Sequence, residues 1–130
     1  MKNKSQYILI ILIGILISIG GCQDEYELGD IIVPSNLDIT YTIVGESDTT
    51  LYGDGSGQVI FSANAEDVIT YNFDFGDGRD SEVEPDGSLT HTFTKTDTNT
   101  YNVTVYAVGT GGVTSSKTVQ VTVYSSFTDD

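Results

Sequence analysis

Carboxylates cluster in one short stretch of this sequence, FDFGDG and the residues directly after it. Asp74, Asp77 and Asp80 lie within seven positions, and several oxygen ligands are what a hard cation such as Ca²⁺ requires. Their spacing does not fit an EF-hand. Glycines beside Asp77 also suit a tight turn, in which the carboxylate accepts hydrogen bonds from nearby backbone N–H groups. We interpret the stretch as a strand-ending turn and keep a structural calcium site as the alternative; no other cofactor is predicted.

Three other kinds of site are disfavoured by the residues present. A phosphate-binding loop would need a Lys after its glycines and a helix to follow them. The paired carboxylates of a glycosidase need a cleft, which a small domain with short loops does not offer. His91, the only histidine, alternates with Leu89 and Phe93, which indicates a core position rather than a Ser-His-Asp arrangement. We therefore predict no catalytic residue and no enzymatic activity.

The composition bounds the class of protein. The chain has 130 residues, enough for one small domain, and 19 acidic residues oppose five basic ones, for a formal charge of -14. Such a surface repels nucleic acid, so no nucleic-acid partner is expected. Cys22 is the only cysteine. The sequence therefore excludes disulfides within the chain, and the domain must be stable through its core alone.

The N-terminus has the pattern of an export signal. MKNK is basic, an apolar run of 15 residues follows from Tyr7 to Gly21, and SIGGC spans its end. A membrane-spanning helix needs about 20 apolar residues, so the shorter run is typical of a signal peptide. Small residues before a lone cysteine resemble a bacterial lipobox, which implies that residues 1–21 are removed and that Cys22 is acylated and held in the membrane. An ordinary secretory peptide is the alternative.

The segment after Cys22 is acidic, beginning QDEYELGD. Acidity at this place resembles the surface-export signal of Bacteroidetes-type lipoproteins, which implies the outer face of the outer membrane. A plain acidic tether is the alternative. We interpret residues 22–35 as the lipidated cysteine and its tether, with Ile31, Ile32 and Val33 able to dock on the edge of the domain.

From residue 36 onward, apolar and polar residues alternate, and turn residues interrupt the runs. This alternation is typical of strands with one buried face, and the runs are rich in the residues that favour strands. The pattern predicts an all-β, antiparallel sandwich of about seven strands over residues 36–124, with residues 125–130 as a C-terminal tail or the start of a linker. The positions predicted to face inward include Leu37, Ile39, Tyr41, Ile43, Ile69, Tyr71, Phe73, Phe75, Leu89, His91, Phe93, Tyr101, Val103, Val105, Ala107, Val119, Val121 and Val123.

Three motifs in this region resemble the pattern of the polycystic-kidney-disease (PKD) domain family. They are YNFDFGDG, then HTF, then TYNVTVYAVGTGG. Phe73 departs from the pattern, because the family often has Trp there, but this change concerns packing only. The residues that carry the resemblance have structural roles in the family pattern: Phe73, Phe75, Gly76, Asp77, Gly78, His91, Phe93, Tyr101, Val103 and Val105.

The resemblance implies an immunoglobulin-like sandwich that acts as an extracellular spacer or interaction module. Together with the lipobox, it resembles the N-terminal part of surface glycan-binding proteins in Bacteroidetes glycan-uptake systems. The function expected from it is a lipid-anchored, non-catalytic module that spaces or supports polysaccharide binding. Its expected partners are polysaccharide, an outer-membrane glycan importer or a following domain. The alternatives are an N-terminal accessory domain of a secreted glycoside hydrolase and a direct carbohydrate-binding domain.

Two tyrosines, Tyr106 and Tyr124, fall on the outward phase of strands expected to be neighbours. Outward aromatic rings on adjacent strands can form a flat surface on which a sugar stacks. They can equally pack against a following domain or against each other. We therefore retain Tyr106 and Tyr124 as candidates for glycan or domain contact.

The calcium alternative predicts a change in thermal stability. If Asp74, Asp77 and Asp80 share an ion, millimolar calcium should raise the melting temperature, because the ion binds the native state preferentially. Thermal unfolding followed by circular dichroism in calcium and in EDTA measures this. Identical melting curves would discard the site.

Overall fold

The computed structural model describes residues 31–127, which form seven strands and one short 3-10 turn, Thr110–Gly112. The observed architecture confirms the predicted all-β sandwich. The first strand begins one residue before the predicted boundary and the last ends one residue after it. The strands are β1 (Ser35–Ile43), β2 (Gln58–Glu66), β3 (Thr70–Asp74), β4 (Glu82–Glu84), β5 (Ser88–Thr92), β6 (Asp97–Val108) and β7 (Thr114–Ser125).

The strands form two sheets that enclose one core. One sheet has three strands in the order β1-β2-β5, and the other has four in the order β4-β3-β6-β7. Every pair of neighbouring strands within a sheet is antiparallel. The edge strand β4 is only three residues long and is followed directly by Pro85. Within residues 31–127, no helix is long and apolar enough to cross a bilayer.

The core follows from the alternation in the sequence. On β6, for example, Tyr101, Val103 and Val105 are buried, while the residues between them face outward. Removing a large apolar side chain from water contributes about 1.5–3 kcal/mol. The side chains buried almost completely come from both sheets and the loops that follow them: Val59, Phe61, Phe73, Phe75, Phe93, Val103, Val105, Val121 and Val123.

Two of the positions predicted to face inward are in fact exposed. Ile69 precedes the first residue of β3, where the alternation no longer applies, and it is 61% exposed. Tyr41 pairs with the buried Phe61 across β1 and β2 but lies at the open side of the sandwich, where 41% of it is exposed. Its hydroxyl donates a hydrogen bond to the Gln120 carbonyl oxygen, at 3.1 Å.

The segment before β1 meets the sandwich chiefly through one residue. Pro34 is buried, and its carbonyl oxygen accepts a hydrogen bond from the Ser115 hydroxyl at 2.6 Å. Ile31, Ile32 and Val33, which were predicted to dock on the edge of the domain, each remain more than half exposed. Ordered packing therefore begins at Pro34 rather than over the whole apolar triplet.

Strands β1 and β7 belong to different sheets but run side by side in the same direction. Pro34 contacts Ser115 near the start of both strands, and Tyr41 contacts Gln120 further along. Between these points, Lys117 forms an ion pair with Asp38 at 3.4 Å. The sandwich therefore has an N-terminal end, where β1 and β7 begin, and a C-terminal end, where both finish.

The turn after β3 generates a test with two matched glycines, Gly76 and Gly78, which both have positive φ. A Cβ on Gly76 would lie 2.5 Å from the Asn102 carbonyl oxygen, whereas a Cβ on Gly78 would meet nothing within 4 Å. We expect Gly78→Ala to lower the free energy of unfolding by about 1 kcal/mol and Gly76→Ala by at least about 2 kcal/mol. Urea denaturation measures both. Equal losses would show that the turn does not pack against β6 as described.

Candidate functional site

The polar centre of the domain is a hydrogen bond between Asp77 and His91. Asp77 lies in the turn after β3, in the four-stranded sheet, and His91 lies on β5, in the three-stranded sheet. The His91 Nε2–H group donates to Asp77 Oδ2 at 2.7 Å. The His91 side chain is 4% exposed and that of Asp77 is 9% exposed. The bond therefore links the two sheets from inside the sandwich.

An aromatic stack holds the histidine ring in place. The His91 ring lies parallel to that of Phe75, with 3.6 Å between ring centroids, and Phe93 meets it edge-on at 4.6 Å. Phe93 in turn stacks on Tyr101 at 4.2 Å. Offset-stacked and edge-to-face contacts of this kind stabilise a packed ring beyond the area that it buries. The imidazole is thereby enclosed by core residues and is withdrawn from any surface chemistry.

Arg79 adds a second connection between the turn and the three-stranded sheet. Its guanidinium donates to the Thr92 carbonyl oxygen at 3.2 Å and to the Thr94 hydroxyl at 2.6 Å. Its backbone N–H donates to Asp77 Oδ1, also at 3.2 Å. Arg79 is the only arginine of the sequence. Its place directly after FGDG was the one signal that could have identified this role.

The surroundings of Asp77 favour its ionised form. Burial is the largest single influence and raises the pKa, but the opposing influences together outweigh it. The hydrogen bond from His91, the backbone hydrogen bond from Arg79 and the charges of these two residues lower the pKa of Asp77 below its ordinary value. Burial and, next, the negative charge of Asp77 raise the pKa of Tyr101. The cluster therefore combines a carboxylate with a neutral phenol.

The three calcium candidates have different surroundings. Both oxygens of Asp77 accept hydrogen bonds from within the domain. Asp74 faces outward and accepts a hydrogen bond from the Gly76 N–H group at 3.1 Å, while Asp80 is exposed in the loop. In the part of the chain that the structure describes, no three His, Cys, Asp or Glu side chains are grouped so that they could hold a metal ion. The effect of calcium on melting remains a prediction.

Tyr106 and Tyr124 do not form one flat surface, which corrects the arrangement expected from the sequence. Both face outward, on adjacent strands, but Tyr106 lies opposite Ser116 and Tyr124 lies opposite Thr98. Eight residues of β7 separate these positions, a distance of about 26 Å. The neighbour of Tyr124 is instead Tyr52, whose carbonyl oxygen accepts its backbone N–H group at 2.8 Å. Sequence reasoning missed this pair, because Tyr52 lies in a loop without periodicity. Cys22, the predicted lipidation site, is outside the described residues.

Comparisons with known proteins support the fold. No known protein family matches the sequence, and no curated protein matches it. Among solved structures, the chain is similar to the crystal structure of the PKD1 domain of Vibrio anguillarum Epp, with a TM-score of 0.53 and 19% sequence identity. The match covers 74% of this chain and 99% of that chain. The domain therefore has a PKD-like, immunoglobulin-like fold.

The Asp77 cluster predicts a pH-dependent contribution to stability. Because folding lowers its pKa, Asp77 stabilises the native state fully above its ordinary pKa of about 3.9, and this contribution is lost as the pH falls through the lower folded value. At pH 7, Asp77→Asn should lower the free energy of unfolding by about 2 kcal/mol. The difference from the wild type should shrink below about pH 4.

Urea denaturation between pH 7 and pH 3 measures this difference. Asp80→Asn, in the same exposed loop, is the control and should cost far less at every pH. A loss for Asp77→Asn that stays constant over the whole range would contradict the role assigned to its charge.

Proposed function

We propose that this protein is a non-catalytic, lipid-anchored module of the bacterial cell surface that spaces or supports polysaccharide binding in a glycan-uptake system. The observation that carries the proposal is the position of the two ends of the domain. Because β1 and β7 run side by side in the same direction, the chain enters at the N-terminal end of the sandwich and leaves at the C-terminal end. The twelve residues of β7 span about 36 Å.

A rigid body with this path holds the membrane-proximal side of the protein apart from its outer side. Two features make the sandwich stiff: the core shared by both sheets, and the Asp77–His91 bond that joins them. The lipobox resemblance at Cys22 supports attachment on the N-terminal side. An acylated Cys22 would hold the N-terminal end near the membrane, and the C-terminal end would then face outward.

The residues that chemistry would need support a non-catalytic role. His91, the only histidine of the sequence, is enclosed by Phe75 and Phe93 and paired with Asp77. Acid–base catalysis requires a titratable group within reach of a substrate, and this one is packed in the core. The PKD-like fold agrees with such a role, and the same geometry would suit an accessory domain of a secreted glycoside hydrolase.

The spacer proposal predicts a difference in height above the membrane. Acylation of Cys22 leaves no other thiol in the sequence, so Val33→Cys and Asp48→Cys each provide one site for a fluorophore. Val33 precedes the N-terminal end, and Asp48 lies in the loop at the C-terminal end. In the full chain bound to membranes, the label at residue 48 should lie roughly 30 Å farther from the lipid.

Energy transfer to a lipid dye measures this height, and Cys22→Ser, which should abolish membrane attachment, is the control. Equal transfer from the two labels would contradict the spacer. In parallel, cells that carry the chain should retain more fluorescent polysaccharide than cells without it. A chain in which a Gly-Ser linker replaces residues 35–125 should not restore retention. Restoration by the linker would show that the sandwich is dispensable.

A further inference from the structure

The C-terminal end of the sandwich holds a groove that the sequence did not reveal. The loop between β1 and β2 forms one side, with Leu51, Tyr52 and Asp54, and the strands β6 and β7 form the other, with Thr98 and Tyr124. Its volume is about 280 Å³. Thr98 and Tyr124 face each other across the two strands, so the groove opens onto the outer face of the four-stranded sheet.

Hydrogen bonds hold the loop in this position. Tyr124 donates its backbone N–H to the Tyr52 carbonyl oxygen, and Asp54 donates its own to the Val44 carbonyl oxygen at 3.2 Å. The Thr50 hydroxyl donates to the Gly45 carbonyl oxygen at 2.7 Å. The two walls of the groove are therefore joined before any ligand arrives, which reduces the entropy lost on binding.

The two tyrosine rings of the groove are available for contact. Tyr52 is 45% exposed and Tyr124 is 39% exposed. The stacked aromatic pairs of residues 31–127 lie in the core or at Tyr41, and neither of these rings takes part in them. The ring of Tyr124 rests close to the backbone at Gly55. The groove thus combines apolar ring surface with phenol and threonine hydroxyls.

Asp54 gives the groove one strong acceptor. The backbone N–H of Ser56 donates to Asp54 Oδ1 at 2.9 Å. Hydrogen bonds from the Ser56 side chain and backbone lower the pKa of Asp54, so it is ionised at neutral pH. A carboxylate beside exposed aromatic rings can accept hydrogen bonds from ligand hydroxyls, while the rings contact an apolar face of the same ligand.

The sheet face next to the groove is polar but carries no charge along β6 and β7. Two pairs of threonine hydroxyls bond across the strands on this face, Thr100 with Thr122 at 2.9 Å and Thr104 with Thr118 at 2.8 Å. In a protein of formal charge -14, twelve outward positions without an acidic residue stand apart. They are Thr98, Thr100, Asn102, Thr104, Tyr106, Val108, Thr114, Ser116, Thr118, Gln120, Thr122 and Tyr124.

We propose that the groove between Tyr52 and Tyr124 binds a neutral polysaccharide. A pyranose ring presents an apolar C–H face for tyrosine and hydroxyls for Asp54 and Thr98. The overall acidity disfavours anionic glycans, whereas the uncharged face beyond Thr98 gives a neutral chain a surface along which to continue. This inference rests on the proposed function, in which the C-terminal end faces away from the membrane.

The test is a binding measurement on the full chain in detergent. Neutral hexasaccharides of α-glucan, β-glucan and xylan, together with an oligogalacturonate and a chitosan oligomer, are titrated by calorimetry and by ligand-observed NMR. At least one neutral oligosaccharide should bind, and the charged ones should not. Tyr52→Ala should weaken binding by about tenfold, which corresponds to the loss of one aromatic contact.

Two further variants and a matched control make the result specific. Tyr52→Phe keeps the ring and should retain most of the affinity, while Thr98→Arg should fill the groove and abolish binding. Tyr106→Ala removes an equally exposed tyrosine about 26 Å away and should leave binding unchanged. Thr98→Arg keeps the test decisive if Tyr52→Ala proves unfolded on melting.

Three outcomes would overturn the proposal: no binding by the wild type, preference for a charged oligosaccharide, or equal loss in Tyr106→Ala. None of them bears on the spacer, because the fluorescence heights at residues 33 and 48 are measured without any sugar. The failure of the groove and the failure of the proposed function are therefore distinguishable.

Discussion

The hydrogen bond between Asp77 and His91 is the interaction on which the rest of the structure depends. It joins a turn of one sheet to a strand of the other, in surroundings where an unpaired carboxylate would be costly. The aromatic stack around His91 and the Arg79 contacts both rely on the turn that the bond positions. A domain without disulfides thus gains a polar connection between its two layers.

The same arrangement explains why the most conspicuous chemistry-bearing residues of the sequence have structural roles. Asp77 and His91 are committed to each other inside the domain, so binding surface must come from residues whose side chains have no such partner. The structure offers these at the C-terminal end, where a loop and two long strands meet. Stability and recognition therefore occupy different parts of the sandwich, and a change in one need not disturb the other.

The sequence was sufficient for the strands but not for their relative placement. Alternation identifies the buried phase of β6 and β7 correctly, because each inward position is apolar or aromatic. It contains no information about which residues lie opposite one another, so Tyr106 and Tyr124 could be assigned to one face but not to its two ends. Periodicity also fails where a strand has not yet begun, as at Ile69, and in the loop that carries Tyr52. Contacts that depend on loops and register emerge only from the folded chain.

The short edge strand β4 has a consequence for a protein crowded on a surface. An exposed sheet edge is a template on which a second copy can add a strand. Here the edge offers only three residues, two of them glutamates, and a proline ends it. Neighbouring copies would bring like charges together at this edge and would find few backbone groups to pair with. The domain can therefore be displayed at high density without polymerising through this sheet.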